Sequence, residues 1–235
     1  MSTATESPVV EEPEGRAEPR WVRPLVVIGA VLALLLLGGA GGLLLGRAGS
    51  DAASVPSGTS VDVQFAQDMS VHHEQAVQMA AWERDHTTDP ALTQLSYDIE
   101  TTQLQQIGRM QGWLGLWGQA AFPVGRPYMT WMSPEGMAGH GMAGATGSAR
   151  MPGMASDAEL AALRSSTGPA LDVLFLQLML RHHQGGVAML QDAAARASVP
   201  EVRNLAAQML SAQQSESDYM TSLLAQHGAQ PLPMN

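Results

Sequence analysis

The stretch FAQDMSVHHEQAVQM, residues 65–79, returns as FLQLMLRHHQGGVAM, residues 175–189. Matching positions are 110 residues apart throughout, and four of the chain's seven histidines lie in these two copies as adjacent pairs. In each copy the apolar residues and the first histidine recur at alternating steps of four and three, which is typical of one stripe of an amphipathic helix. The sequence therefore predicts a buried helix stripe that carries a histidine pair, and it predicts this twice.

The repeat is longer than these two helices. Pro90 and Pro200 are also 110 residues apart, and each stands where proline commonly opens a helix. The second helices match along their stripes, for example Leu92 with Val202 and Met110 with Met220. Each repeat is thus predicted to be a helical hairpin, and two hairpins can cover each other's apolar faces. Short connections within the hairpins and a long one between them predict an all-α, ferritin-like four-helix bundle with a long crossover.

An apolar segment precedes the bundle. Residues 25–45 contain no charged side chain, and a helix of that length spans a bilayer. Three arginines precede the segment (Arg16, Arg20 and Arg23) and one follows closely (Arg47), which by the positive-inside rule places the N-terminus in the cytoplasm. A cleaved signal peptide is the alternative, although its apolar core is usually shorter. We predict a single-pass cell-membrane protein whose C-terminal domain is extracytoplasmic.

The predicted organisation follows from these patterns. Residues 1–23 form a disordered cytoplasmic tail rich in Pro and Glu. The transmembrane anchor occupies 24–46 and a small-residue linker 47–60. The four-helix bundle occupies 61–228 and includes a Met/Gly-rich crossover loop at about 119–156.

Composition excludes several functions. The chain has no cysteine, so disulfides, thiolate metal sites and thiol catalysis are excluded. Its formal net charge of −10 argues against binding the phosphate backbone of nucleic acids. There are 15 methionines. Methionine fills irregular gaps in cores, but in the absence of cysteine it is also the only soft metal ligand available.

The repeated histidines are candidate metal ligands. A single core histidine is most often a hydrogen-bonded structural residue. Here the same arrangement occurs twice, with a second histidine beside the first and a thioether one helical turn away. The candidate ligands on the helices are Met69, His72, His73, Met79, Met179, His182, His183 and Met189.

The type of ligand favours copper over other metals. Carboxylate-bridged iron sites in helical bundles use repeated Glu-x-x-His motifs, whereas Glu74 has Gln184 as its counterpart here. Structural zinc prefers thiolate, imidazole or carboxylate over thioether. Imidazole together with thioether suits copper, above all Cu(I), and Ag(I) is expected to behave similarly.

The crossover offers a second set of candidate ligands. Met137, His140 and Met142 in GMAGHGM bring two sulfurs and an imidazole together on a glycine-rich backbone. A flexible segment of this kind can wrap a Cu(I) ion. A low-complexity linker that happens to contain methionine is an equally good explanation.

Two buried amides are predicted near the histidines. Gln103 and Gln213 are repeat counterparts on the apolar stripes of the second helices. They either hydrogen-bond the core histidines and fix their orientation, or they pair with each other or with water. The sequence does not distinguish these two roles.

The repeated pattern F-x-x-x-M-x-x-H-H-x-x-x-V-x-M resembles the bacterial domain of unknown function 305. The match continues through the Gln-Gln-x-Glu-x-x-x-Met stretch at 213–220, where the first repeat departs with Leu104 and Gln106. The resemblance covers about residues 61–114 and 169–226. It implies a ferritin-like domain in the periplasm or anchored at the cell surface, and some relatives are linked to copper or silver. Carried over by position, it implies the helical His and Met residues named above as the ligands.

The sequence thus predicts a membrane-anchored, extracytoplasmic protein that buffers or sequesters Cu(I) or Ag(I) through Met and His, without turnover. The expected partners are the metal ion and the membrane, with a copper-handling protein or a second copy of this chain as further candidates and no nucleic acid. One alternative is a metal-free helical interaction domain with structural histidines. Another is a ferritin-like redox metalloenzyme, for which Glu74, Glu100 or Glu216 would have to converge on the histidines.

Overall fold

The computed structural model describes residues 22–49, 55–139 and 141–235. Within these ranges the regular structure is helical, apart from an isolated bridge between Tyr128 and Ser148. The predicted all-α class is confirmed. The helices are α1 (Val22–Gly49), α2 (Val61–His86), α3 (Pro90–Leu116), α4 (Pro134–Gly139), α5 (Asp157–Ser165), α6 (Pro169–Arg196) and α7 (Pro200–Gln226).

The chain divides into two units, and the boundary along the sequence lies between Ser54 and Val55. The first unit contains α1, in which apolar side chains such as Leu34 and Leu37 are exposed. The predicted transmembrane anchor at 24–46 is not supported, because no helix in the described ranges is long and apolar enough to cross a membrane. Most of the predicted tail at 1–23, and residues 50–54 of the predicted linker, lie outside the described residues.

Local sequence signals start the helices of the second unit. Ser60 caps α2 by accepting a hydrogen bond from the Val63 amide at 3.2 Å. Asp89 caps α3 in the same way, and Pro90 occupies the first turn, where its missing N–H costs nothing. Ser156 forms a complete capping box with Glu159 at the start of α5. These contacts explain why α3 begins at Pro90, as the sequence predicts, and why α2 and α5 begin where they do.

The four long helices pack as two hairpins that meet along α2 and α6. α2 packs against α3, α6 packs against α7, and α2 also packs against α6. Met69 and Met189 lie in one apolar cluster, whereas Met79 and Met179 lie in another. α2 and α6 therefore run in opposite directions, and their histidine pairs lie at the same height, between the two clusters.

The two apolar clusters differ in composition. The cluster at the crossover end, which we call the methionine cluster, surrounds Phe65 and contains Met69, Met110, Met129, Met132, Met137, Met151, Met189 and Met209. The cluster at the opposite end surrounds Phe175 and is mostly aliphatic. Unbranched thioether side chains fill irregular space well. The methionine cluster lies where the irregular crossover packs against regular helices, so its composition suits that place.

Each hairpin supplies an aspartate to the turn of the other hairpin. Asp62 at the start of α2 accepts hydrogen bonds from the Ser198 hydroxyl at 2.7 Å and from the Val199 amide at 2.8 Å, in the α6–α7 turn. Its repeat counterpart Asp172 at the start of α6 accepts a hydrogen bond from the Thr87 hydroxyl at 2.8 Å, in the α2–α3 turn. We call these contacts the reciprocal clasp, because they join the hairpins at both ends.

The crossover between α3 and α5 is fastened to α2 by a buried carboxylate. Asp68 is fully buried, and its carboxylate pairs with Arg126 at 2.8 Å. It also accepts hydrogen bonds from the Met129 amide at 2.7 Å and from the Trp131 indole N–H at 2.9 Å. Burial raises the pKa of Asp68, against the lowering effect of Arg126 and these hydrogen bonds.

The crossover is also fastened to α6. Asp192 accepts hydrogen bonds from the Ser133 amide at 2.9 Å and from the Ser133 hydroxyl at 2.7 Å. The short helix α4 (Pro134–Gly139) follows directly, within the segment that the sequence predicts as an irregular loop. The predicted loop at about 119–156 is therefore partly helical, and it packs on both hairpins instead of extending from them.

Candidate metal site

A layer of four histidines lies at mid-height in the bundle. His72, His73, His182 and His183 are all fully buried, and we call them the histidine layer. The rings of His72 and His182 are in contact, with centroids 3.8 Å apart and planes inclined by 35°. Within each pair the ring centroids are 6.3 Å and 6.4 Å apart, so adjacent histidines point in different directions. The structure thus brings together the two repeated pairs that the sequence predicts.

The Nε2 atoms of the layer have oxygen partners. His182 Nε2 lies 3.0 Å from the backbone carbonyl of His72, and a carbonyl can only accept. His73 Nε2 lies 2.8 Å from Gln106 Oε1, and His183 Nε2 lies 2.6 Å from Glu216 Oε2. These three rings must donate from Nε2, and when neutral they carry a lone pair on Nδ1.

Three Nδ1 atoms of the layer are buried without a hydrogen-bond partner. The Nδ1 atoms of His73, His182 and His183 have no hydrogen-bond partner. A buried acceptor that makes no hydrogen bond loses its hydration without compensation. Coordination of a metal ion would compensate this loss, and a neutral imidazole held through its other nitrogen is the usual state of a histidine ligand.

Burial disfavours the charged forms of His73 and His182. Desolvation lowers the pKa of His73 to about 4, although the Gln106 hydrogen bond raises it and nearby His183 lowers it further. Desolvation also lowers the pKa of His182, with further lowering by the other three histidines. A proton therefore does not compete with a metal ion for these nitrogens at neutral pH.

Of the two roles that the sequence leaves open for the buried amides, holding a histidine is not seen for Gln103. Neither side-chain atom of Gln103 has a hydrogen-bond partner, and Gln213 Oε1 has none either. Gln213 nevertheless lies beside the layer, since a Cβ added at Gly186 would be 3.2 Å from its Oε1 and 3.5 Å from Cε1 of His72. The side chains that do hold histidines are Gln106, at His73, and Glu216, at His183. The sequence suggested Glu216 only as a carboxylate of a redox metal site.

The predicted thioether ligands lie above and below the layer. Met69 and Met189 belong to the methionine cluster on one side, and Met79 and Met179 belong to the aliphatic cluster on the other. All four side chains are fully buried. In the described part of the chain, no group of three or more His, Cys, Asp or Glu side chains is placed to hold a metal ion. A metal held in this layer by three or more side chains would therefore need a ligand of another kind, for which the thioethers are candidates.

Two of the three predicted ligands in the crossover, Met137 and Met142, lie in the described residues, and both pack at the methionine cluster. Met137 lies on α4 with 2% of its surface exposed, packed in the methionine cluster. Met142 is half-buried and packs against the same cluster, and His140 lies outside the described residues. The histidine layer is thus the more complete candidate site.

A profile of the domain of unknown function DUF305 matches residues 62–224, which is more than half of the chain. The chain belongs to the DUF305 family. The resemblance predicted from the histidine-pair pattern is thereby confirmed.

Solved structures of other DUF305 proteins are similar to this one. A DUF305 protein from Streptomyces coelicolor, provisionally described as secreted, is 41% identical with a TM-score of 0.66, and the alignment covers 75% of this chain and 99% of that chain. A DUF305 fragment from Deinococcus radiodurans is 35% identical with a TM-score of 0.55, covering 71% and 96%. CopM in its Cu(II)-bound form is 26% identical with a TM-score of 0.54, covering 70% and 96%. No curated protein matches the chain.

One contact of this DUF305 domain with the histidine layer was missed by sequence reasoning. The crossover passes so close to α6 that a Cβ at Gly185 would lie 2.2 Å from the carbonyl oxygen of Pro152. Gly153 has a φ of +76°, and a Cβ there would lie 2.4 Å from the Arg181 carbonyl. The Pro152 carbonyl accepts a 3.4 Å hydrogen bond from His72 Nε2. The available signal was the replacement of the first repeat's Gln-Ala, residues 75–76, by Gly-Gly, residues 185–186.

Proposed function

We propose that this DUF305 protein is an extracytoplasmic protein that binds Cu(I) or Ag(I) in the histidine layer and sequesters the ion without turnover. The nitrogen ligands of one ion are at most two Nδ1 atoms of the layer, because no three of these side chains are placed to hold the same ion, and His73, His182 and His183 are the best-defined candidates. The sulfur ligands come from the four methionines that flank the layer. The ion is cargo, and no reaction is assigned to it.

The observation that carries this proposal is the set of buried Nδ1 atoms without partners. His73, His182 and His183 each donate from Nε2 to an oxygen, which fixes the direction of the Nδ1 lone pair. These Nδ1 atoms are also buried away from solvent. A purely structural histidine gains most when both nitrogens are hydrogen-bonded. Three histidine rings in one layer, each hydrogen-bonded at only one nitrogen, are better explained by a metal ion that accepts their lone pairs.

The donor chemistry supports a soft monovalent ion. The chain has no cysteine, and the soft donors near the histidines in sequence are buried thioethers. Thioether with imidazole favours Cu(I), and the apolar surroundings favour an ion of low charge because desolvation costs less for it. CopM in its Cu(II)-bound form shares the fold and 26% of the aligned sequence, which supports copper as the metal.

An extracytoplasmic location is part of the proposal. The Streptomyces coelicolor relative is provisionally described as secreted, and it is 41% identical to this chain. Outside the cytoplasm no thiol pool competes for Cu(I), so a site built from thioether and imidazole can hold it.

The test is an anaerobic Cu(I) titration of the full chain against a coloured chelator. The variant is His73→Leu with His183→Leu, because leucine suits the apolar core, and the freed Gln106 and Glu216 are partly exposed and can reach water. The matched control is Met110→Leu with Met220→Leu, a repeat-related pair outside the proposed ligands. We expect the parent and the control to take copper from the chelator, and the histidine variant to lose this ability while it stays helical by circular dichroism.

Two results would count against the proposal. If the folded histidine variant competes as well as the parent, copper binds outside the histidine layer. If the parent does not compete, the better account is a metal-free helical interaction domain, in which the hydrogen bonds of Nε2 are purely structural. A redox metalloenzyme has less support, because Glu216 contacts the layer but its counterpart on α3 is Gln106.

A further inference from the structure

A surface pocket lies over the histidine layer on the crossover side. Its volume is about 400 Å³, and it is lined by Met142, Ser148, Arg150, Met151, Pro152 and Asn235. Met151 is 1% exposed, whereas Met142 is half-buried. Of the two methionines that line the pocket, Met142 is therefore the one that solvent reaches directly, and Met151 is buried.

The floor of this pocket touches the histidine layer. Pro152 lines the pocket, and its carbonyl accepts the 3.4 Å hydrogen bond from His72 Nε2. His72 in turn is in ring contact with His182. One residue of backbone therefore separates the pocket from the proposed binding site.

Few side chains hold this backbone in place. Gln75 donates to the Ala155 carbonyl at 3.0 Å and accepts from the Ala155 amide at 2.6 Å. Asn235 accepts from the Gly153 amide at 3.2 Å and donates to the Met154 carbonyl at 3.1 Å. Residues 152–155, which we call the plug, are thus held at both ends by side-chain amides and make no regular secondary structure.

We propose that this pocket is the loading site of the protein. It captures a soft monovalent cation from solvent through the thioethers of Met142 and Met151, and the ion passes to the histidine layer when the plug moves. This inference rests on the proposed function, since it assigns the layer as the destination. Two thioethers are few enough to bind an ion reversibly, as a loading site requires, while the layer adds imidazole.

Arg150 sets a limit on what the pocket captures. Its guanidinium is exposed at the rim, so water and salt screen its repulsion of a cation. Repulsion grows with the charge of the ion, and thioether affinity falls for harder ions. The pocket is therefore expected to favour Cu(I) or Ag(I) over divalent cations.

The experiment measures the rate and the extent of loading separately. The full chain is mixed by stopped flow with a Cu(I)–bicinchoninate complex without oxygen, and the loss of chelator colour is followed. The variant Met142→Leu with Met151→Leu keeps side-chain volume and apolarity, so the fold is preserved. Met220→Leu in the opposite cluster is the matched control. We expect loading to slow by about tenfold in the pocket variant, with unchanged final uptake, and to be unchanged in the control.

A second variant tests the plug. Gln75→Ala removes both hydrogen bonds to Ala155, and we expect it to speed loading while final uptake stays the same. If the pocket variant loads at the parent rate, the loading site is refuted and the proposed function is unaffected. If the folded pocket variant loses uptake altogether, the pocket is the binding site and the assignment of a separate loading site is wrong. If the parent takes no copper, both proposals fail.

Discussion

The two hairpins agree where they face each other and differ where they face the crossover. His73 with Gln106 and His183 with Glu216 are equivalent contacts, and Asp62 and Asp172 make equivalent contacts in the clasp. One departure lies at the histidine layer, where Gln106 has Glu216 as its counterpart, and the others lie at the crossover. Asp68 has Leu178 as its counterpart, and Gln75 has Gly185.

The difference teaches how one chain breaks its own symmetry. Two like hairpins can satisfy each other symmetrically, but the single crossover between them has no symmetric copy. The α2–α3 hairpin therefore provides polar side chains that hold the crossover, namely Asp68 and Gln75. The α6–α7 hairpin provides Asp192, which accepts hydrogen bonds from Ser133 and has Trp82 as its counterpart, and Gly185, whose missing side chain lets residues 152–153 approach closely. Shared positions serve the histidine layer, and unshared positions serve the connection.

The largest expected effect comes from breaking the anchor on the first hairpin. Asp68→Ala leaves Arg126 and the Trp131 indole without their buried acceptor, so we expect the free energy of unfolding to fall by about 4 kcal/mol. The corresponding change on the second hairpin, Asp192→Ala, should cost about half as much, because its partner Arg196 is 41% exposed. Urea unfolding followed by circular dichroism measures both. Equal losses would show that burial does not determine how much the Asp68 and Asp192 contacts stabilise the fold.

Acid should break the hairpins apart at the layer they share. The pKa of His73 is about 4 in the folded protein, against an ordinary value of 6.5, so the unfolded chain binds more protons between these pH values. The free energy of unfolding should therefore fall as pH falls from 6.5 to 4, by about 3 kcal/mol from this residue. Urea unfolding across this range should show a steep loss in the parent and a shallower one in His73→Leu. If the free energy of unfolding falls equally with pH in both proteins, His73 is not the residue that causes the loss.

A methyl group at the close approach should have an intermediate effect. Gly185→Ala places a Cβ against the Pro152 carbonyl, and we expect the displaced plug to cost about 2 kcal/mol of unfolding free energy. Gln75→Ala at the equivalent position of the first hairpin only removes two hydrogen bonds and should cost about 1 kcal/mol. Thermal unfolding of both variants tests the order. If Gly185→Ala leaves the free energy of unfolding unchanged, the plug can be displaced without an energetic cost.

The smallest effect should come from exchanging the groups that hold the outer histidines. A carboxylate acceptor makes an imidazole a stronger ligand than an amide does. Glu216→Gln should lower copper affinity by about tenfold, and Gln106→Glu should raise it. Competition with a Cu(I) chelator measures both in proteins of nearly equal stability. If neither exchange changes the affinity, the outer histidines do not bind the ion.

Local signals explain how much of the fold could be predicted. Ser60, Asp89 and Pro200 each act within one turn of the helix that they start. The internal repeat shows the same spacing twice, so helix starts and buried stripes could be predicted from the sequence. The burial of His72 and His182 followed from the same stripe, whereas the burial of His73 and His183 did not. These features depend on spacing within a helix, which the sequence states directly.

The missed features depend on partners that are distant in sequence. His73 meets Gln106 across 33 residues, and Asp68 meets Trp131 across 63. In sequence Asp68 looks like an ordinary acidic residue on a solvated helix face, because its partners lie in a segment without periodicity. The path of the crossover determines both contacts, and only packing against the finished bundle determines that path.

The reciprocal clasp bears on the origin of the domain. A hairpin of this kind carries both a donor turn and an acceptor aspartate, yet it cannot bring its own aspartate to its own turn, because these lie at opposite ends of the hairpin. A free hairpin would be complete only beside another copy of itself. Duplication and fusion of the encoding segment would convert such a dimer into one chain, and the crossover would be the seam. Its irregular sequence and unshared contacts are what a late addition to a symmetric pair would leave.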